Sequence, residues 1–190
     1  ITNKIAAELN GSYDSNIGIT GFGFETSKVY ISSNNLGDNQ RFISTFFLEH
    51  RFNFLDKKLD VTPGVSVSYY SDFKFQAFPG VDLGYQLNEN TRIYGNIGYT
   101  YRIPSYTDLN YFSPENVGNP NLEPEKALSE EIGFKWHSNS VNFYAAGFYR
   151  NALKFIDYVR PTDASPWQPQ VIEDVVTKGI ETQFDYKFKL

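Results

Sequence analysis

Two histidines and no cysteine narrow the chemistry open to this chain of 190 residues. A thiolate or imidazole metal centre needs more donors than that. A serine nucleophile needs a histidine within hydrogen-bond reach, and His50 and His137 each fall beside a short turn, away from any candidate serine. Asp38, Asp108, Glu115 and Asp163 offer the hard oxygen ligands that calcium takes. The Asp-x-Asp-x-Asp-Gly spacing of a calcium loop is missing, so they read as solvated charges. Gly21-Phe22-Gly23-Phe24-Glu25 lacks the third glycine of a dinucleotide fingerprint, and no helix is expected after it. Asn10-Gly11-Ser12 fits a glycosylation sequon but lies inside a strand pattern. The residues therefore assign no catalytic group, no metal and no cofactor, and no enzyme is expected. A net charge of −5 argues against a nucleic-acid partner, which needs a basic stripe.

Recognition chemistry remains. Aromatics make up 17% of the residues, and Tyr106, Tyr111, Phe112 and Trp167 fall in two long connections between strand patterns. Such rings give broad flat contact with a polar handle, suited to a large amphipathic ligand. The plainer expectation is that they pack the connections against each other.

The elements that position these groups read as strands throughout. From Thr91 to Arg102, Ile93, Gly95, Ile97, Tyr99 and Tyr101 share one face, while Arg92, Asn96, Thr100 and Arg102 share the other. A strand sorts residues this way and a helix scatters them. The same alternation runs through 59–70, 79–87, 128–136 and 179–188. It is looser at 5–13 and 42–54, and a phase slip near Gly21-Phe22-Gly23 suggests a bulge. Strands are expected at 3–13, 17–32, 41–54, 59–71, 74–87, 91–103, 126–137, 140–159 and 170–189. Most meet or exceed the roughly 9–11 residues that cross a bilayer obliquely. Short turns alternate with longer links at 33–40, 104–125 and 160–169, with 72–73 as the short exception. Short turns on one side and long loops on the other are the pattern of an outer-membrane barrel.

The fold class is therefore all-β, an antiparallel transmembrane β-barrel segment of about nine strands, with apolar side chains toward lipid. An odd strand count leaves the barrel unclosed, so further strands are expected elsewhere in the parent chain. Neither a signal peptide nor a Met is present, which also suggests a fragment. On this reading Arg102 and Arg150 face the lumen near its outer mouth. They are expected to pair with Glu131 or with carboxylates of another domain.

The most specific stretch is Tyr99 to Phe112 (YTYRIPSYTDLNYF), followed by Gly118 to Lys126 (GNPNLEPEK). Pro104 ends a strand ladder for want of an N–H, Gly118-Asn119-Pro120 is a turn, and Pro124 stiffens the approach to the next strand. The ordered series of Arg102, Pro104, Gly118, Asn119, Pro120, Leu122, Pro124, Glu125 and Lys126 resembles the hallmark of TonB-dependent outer-membrane receptors. Phe148-Tyr149-Arg150-Asn151, Phe155-Ile156-Asp157-Tyr158 and Lys178-Gly179-Ile180-Glu181 are similar to later motifs of that family. The resemblance covers nearly the whole chain.

It implies residues 1–190 of a barrel of the type with about 22 strands, lacking the plug domain and the final strands. It also implies residence in the bacterial outer membrane, among lipid. The implied activity is energy-coupled uptake of a scarce nutrient, with the TonB complex acting through the plug. Phe155 to Tyr158 and Pro166-Trp167-Gln168-Pro169 look most like vitamin B12 (cobalamin) receptors, with ferric siderophore receptors as the alternative. A passive porin would share the alternation without needing the Arg-x-Pro and Gly-Asn-Pro series. A soluble β-sandwich would have shorter strands around a dry centre.

Overall fold

The computed structural model describes residues 1–172 and 174–188. In chain order the elements are β1 (Thr2–Ser15), β2 (Gly18–Ser33), β3 (Gly37–Phe54), β4 (Leu59–Tyr70), β5 (Lys74–Asn88), β6 (Thr91–Arg102) and α1 (Tyr106–Asn110). Then come β7 (Glu125–His137), β8 (Val141–Leu153), β9 (Ile156–Val159), β10 (Gln168–Val171) and β11 (Val175–Tyr186). β1 to β8 and β11 form one nine-stranded sheet in chain order, with every pair antiparallel. β9 and β10 pair apart from it.

Register turns the alternation of each strand into two faces. Leu83, Gly95, Ile132, Gly147 and Ile180 stand directly opposite one another on successive strands, as one apolar row. The adjacent row, on the other face, runs Thr62, Asp82, Asn96, Glu131, Phe148, Gly179. Ile132 is 68% exposed and Ile180 is 81% exposed, so none of the described residues covers the apolar face there. Apart from glycines and the loop prolines Pro104 and Pro169, the buried apolar residues among those described are Leu122, Ala127, Ala146, Ala152 and Ile156, too few and too small for a sandwich core. The wall is built to be solvated by lipid on one side and water on the other. Its shortest strands hold 12 residues, about 40 Å at the usual strand rise, well beyond the roughly 25 Å apolar band of an outer-membrane barrel.

On the wet face Asp60 is buried between Arg92, which hydrogen-bonds it, and Arg51, at 3.8 Å. That cluster ties β3, β4 and β6 near the ends joined by short turns.

Four expectations from sequence need correction. The link expected at 33–40 is a turn of three residues, because β2 and β3 stay paired out to Ser33 and Gly37. Gly37 takes the left-handed φ of 69° that closes it. No bulge occurs at Gly21 to Gly23, where both ladders keep their register; the shift falls between Gln86 and Asn88 instead. The strand expected over 140–159 breaks at Lys154, whose φ of 57° turns the chain out of the wall into β9. The strand expected over 170–189 divides into β10 and β11, with residues 173 and 189 lying outside the described residues.

Candidate ligand-recognition lip

The long connections leave the wall at the same end. Residues 103–124 join β6 to β7, and residues 154–174 join β8 to β11 and carry the β9–β10 hairpin. The first holds α1, a single turn too short to stand alone. Its start is fixed by a capping box: Ser105 Oγ accepts from the Asp108 N–H at 3.1 Å, and Asp108 Oδ2 accepts from the Ser105 N–H at 2.9 Å.

Asp108 does more than cap. It is 6% exposed and receives the Arg102 guanidinium at 3.1 Å and the Tyr158 hydroxyl at 3.3 Å. Arg102 also donates to Glu125 Oε1 at 2.7 Å, and that oxygen accepts the Ile156 N–H at 2.7 Å. One arginine at the end of β6 thus joins α1, the start of β7 and the hairpin of the other long connection. Buried carboxylates are tolerated only when charge and hydrogen bonds answer them, and here both do. Burial, then the neighbouring Asp108 carboxylate, holds the Tyr158 phenol above its ordinary pKa, so it stays a donor.

The remaining motif residues extend this latch. Pro104 is fully buried. Gly118 approaches α1 so closely that an added Cβ would sit 2.7 Å from the Asn110 nitrogen. Its N–H donates to the Tyr111 carbonyl at 2.6 Å. Asn119 donates its backbone N–H to the Asp108 carbonyl at 2.8 Å and its side chain to the Pro169 carbonyl at 3.1 Å. Leu122 is 4% exposed under the lip. Glu123 pairs with Lys154, whose hydrogen bond and charge hold its carboxyl below the usual range. Pro124 is half-buried and the Lys126 ammonium lies 5.3 Å over the Tyr101 ring.

Of the candidate contact rings, Phe112 is 69% exposed and Trp167 is 41% exposed. Trp167 bridges in parallel to Asn116, and its N–H donates to the Glu115 carbonyl at 2.8 Å. The Arg160 guanidinium lies 5.1 Å over its ring. Phe112 exchanges hydrogen bonds with Asn35 of the β2–β3 turn, at 2.9 and 3.0 Å. Tyr111 is half-buried at the end of α1. Tyr106 faces inward, beside Arg41. The two long connections therefore form one lip with two open aromatic rings. Arg102 pairs within the lip, not with Glu131, because Asp108 and Glu125 flank the end of its own strand. Glu131 lies lower on the wet face, opposite Asn96, and Arg150 stands exposed opposite Ser129 and Thr177. Asp108, expected to be a solvated charge, is buried by these contacts. Sequence reasoning misread Asp108 and missed Arg41. The Ser-x-x-Asp spacing of the capping box was the available signal for the first.

A long-stranded wall with one apolar face and one wet face defines part of an outer-membrane barrel. The chain belongs to the family described as TonB dependent receptor-like, beta-barrel, which matches residues 3–190. It is similar to the vitamin B12 transporter BtuB of Vibrio vulnificus (strain CMCP6), 29% identical over 97 residues, covering 51% of this chain and 14% of that protein. The BtuB of Photobacterium profundum is 27% identical over 101 residues, covering 51% and 16%. Among solved structures, the siderophore receptor PirA from Pseudomonas aeruginosa aligns with a TM-score of 0.82 at 19% identity, over 95% of this chain and 36% of that one. A ferric enterobactin receptor from the same species aligns at 0.80 and 15%, over 95% and 32%. The chain thus spans about a seventh of the first relatives and about a third of the solved receptors. The family is one of transport receptors, not enzymes, and its barrels belong to the bacterial outer membrane.

Proposed function

We propose that this chain is part of the barrel of an outer-membrane receptor that takes up cobalamin in a TonB-dependent manner. The observation that carries the choice is the sequence likeness to vitamin B12 transporters over half the chain. The solved siderophore receptors share its fold at 19% identity or less, which speaks for architecture and not for ligand. The lip suits such cargo. Phe112 and Trp167 offer flat apolar area for a large amphipathic molecule, while Arg160 and Tyr111 supply polar edges. Energy for transport comes from the TonB complex acting on a plug domain, so the wall carries no reaction chemistry of its own. A ferric siderophore is the alternative cargo, and a passive porin lacks any use for the family series.

Equilibrium binding of cobalamin and of ferric siderophores to the full-length receptor tests the proposal. Tight binding of cobalamin with none of the iron chelates is the expected result. Binding of iron chelates alone overturns the choice of cargo, and binding of neither overturns both named cargoes.

A further inference from the structure

Arg41 is an arginine that no motif singles out. It sits near the start of β3, is only 9% exposed, and reaches two separate connections. Its Nε donates to Asp72 Oδ2 in the β4–β5 turn at 2.8 Å. One terminal nitrogen donates to the Pro104 carbonyl, at the start of the first long connection, at 3.0 Å. Its guanidinium lies 5.3 Å from the Phe73 ring centre and 5.1 Å from that of Tyr106, the first residue of α1. Planar guanidinium suits this double use, since its edge bonds oxygens while its faces meet rings.

α1 is therefore gripped on two sides, by Arg41 through Tyr106 and by Arg102 through Asp108. Asn35 holds Phe112 from the β2–β3 turn, and Asn119 holds the hairpin at Pro169. Together these contacts join all four connections at the outer end. We propose that Arg41 is a positioning residue for ligand recognition, locking α1 so that Phe112 and Trp167 form one preformed surface. This rests on the reading that the lip receives a small-molecule ligand. Arg41 itself is buried and does not touch that ligand. Binding to a preformed surface avoids ordering loops at the moment of contact, which is where a mobile lip loses affinity.

The test uses the full-length receptor with spin labels at Thr107→Cys on α1 and Asn34→Cys on the β2–β3 turn, both exposed. This segment has no cysteine of its own to interfere. Distances between the labels are measured with and without cobalamin, alongside cobalamin affinity and the thermal transition of the barrel. The native receptor is expected to give one narrow distance in both states. Arg41→Gln is expected to broaden it and weaken affinity about tenfold. Arg41→Lys keeps the charge but not the planar stack, and is expected to fall between the two. The barrel transition should stay in place in both variants. A narrow distance in Arg41→Gln with lost affinity would mean direct ligand contact and overturn the proposal. So would a native distance that is broad or shifts on binding, or unchanged affinity in a broadened variant. If neither cobalamin nor an iron chelate binds the native receptor, both named cargoes fail. The distance arm still reports on whether Arg41 holds α1.

Discussion

The two ends of the wall are closed by different physics. At the short-turn end each connection is satisfied within itself or by its neighbour. Lys58 N–H donates to the Leu55 carbonyl at 3.1 Å, Ser138 N–H to the Val141 carbonyl at 2.8 Å, and His137 N–H to the Asn90 carbonyl at 2.9 Å. At the lip end the ties also run between the connections themselves, and charged side chains make several of them. At the short-turn end Asp60, Arg51 and Arg92 brace strands that the turns have already joined, whereas the lip needs Arg41, Arg102, Asp108 and Glu125 to hold long connections in place. The family series is thus chiefly a latch, and the exposed rings of Phe112 and Trp167 hang from it.

That contrast breaks most sharply at Gly118. An added Cβ would meet the backbone of Leu109 and Asn110 at 2.7–2.8 Å, and backbone cannot swing aside. Gly118→Val is expected to cost the lip about 3 kcal/mol, in the range of severe overpacking. Hydrogen exchange should show 103–124 and 154–174 losing protection together while β4 to β6 keep theirs. Loss confined to 103–124 would mean the two connections are not one body.

Arg102→Ala comes next. It leaves Asp108 and Glu125 buried without their cation, an arrangement that costs about 3–5 kcal/mol in a dry site. Arg102 is 45% exposed in its side chain, so solvent screening brings the expected loss nearer ~2 kcal/mol. Cobalamin affinity should fall with lip protection, and the strand amides should not change.

The sheet was legible in the sequence because the period-two pattern is a direct image of two solvents. Residues that face lipid or water must match it whatever the rest of the chain does. The family series was legible too, since Pro104, Gly118 and Pro124 punctuate the chain locally. Arg41 was not. Its partners Asp72 and Pro104 lie 31 and 63 residues away, and nothing in local spacing announces them. The break at Lys154 was hidden because Phe155 to Val159 is still rich in strand-forming residues, although a left-handed lysine has already turned the chain out of the wall. Ligand-contact residues stay the least legible, because an exposed aromatic ring looks the same in sequence whether it meets cargo or a neighbouring loop.

At the short-turn end the corresponding change should help. Leu55, Asp56 and Lys57 hold φ values of 53°, 55° and 67°, three side-chain-bearing residues in the left-handed region. Asp56→Gly relieves that strain and is expected to stabilise the β3–β4 hairpin by about 1 kcal/mol. Slower exchange at Phe54 and Leu59 would show it, and the lip should be indifferent. A smaller gain is expected inside the lip from Tyr106→Phe. The Tyr106 hydroxyl is buried and finds no hydrogen-bond partner among the described residues, so removing it should leave stability unchanged or raise it by up to about 1 kcal/mol. A loss would mean that the hydroxyl is answered by an ordered water.

The weakest tie is the exposed pair of Glu123 and Lys154. The Glu123 carboxyl is held below its ordinary range by the Lys154 hydrogen bond and charge. What the pair contributes is therefore present above the ordinary carboxylate range and fades as pH falls through the lowered value. Both groups are open to solvent, so salt should screen the pair and Lys154→Ala should barely move lip protection at neutral pH. If that variant instead releases 154–174, the lip is fastened at its rim as well as at Arg102. The buried Asp108 and Glu125 would then not be what holds the two long connections together.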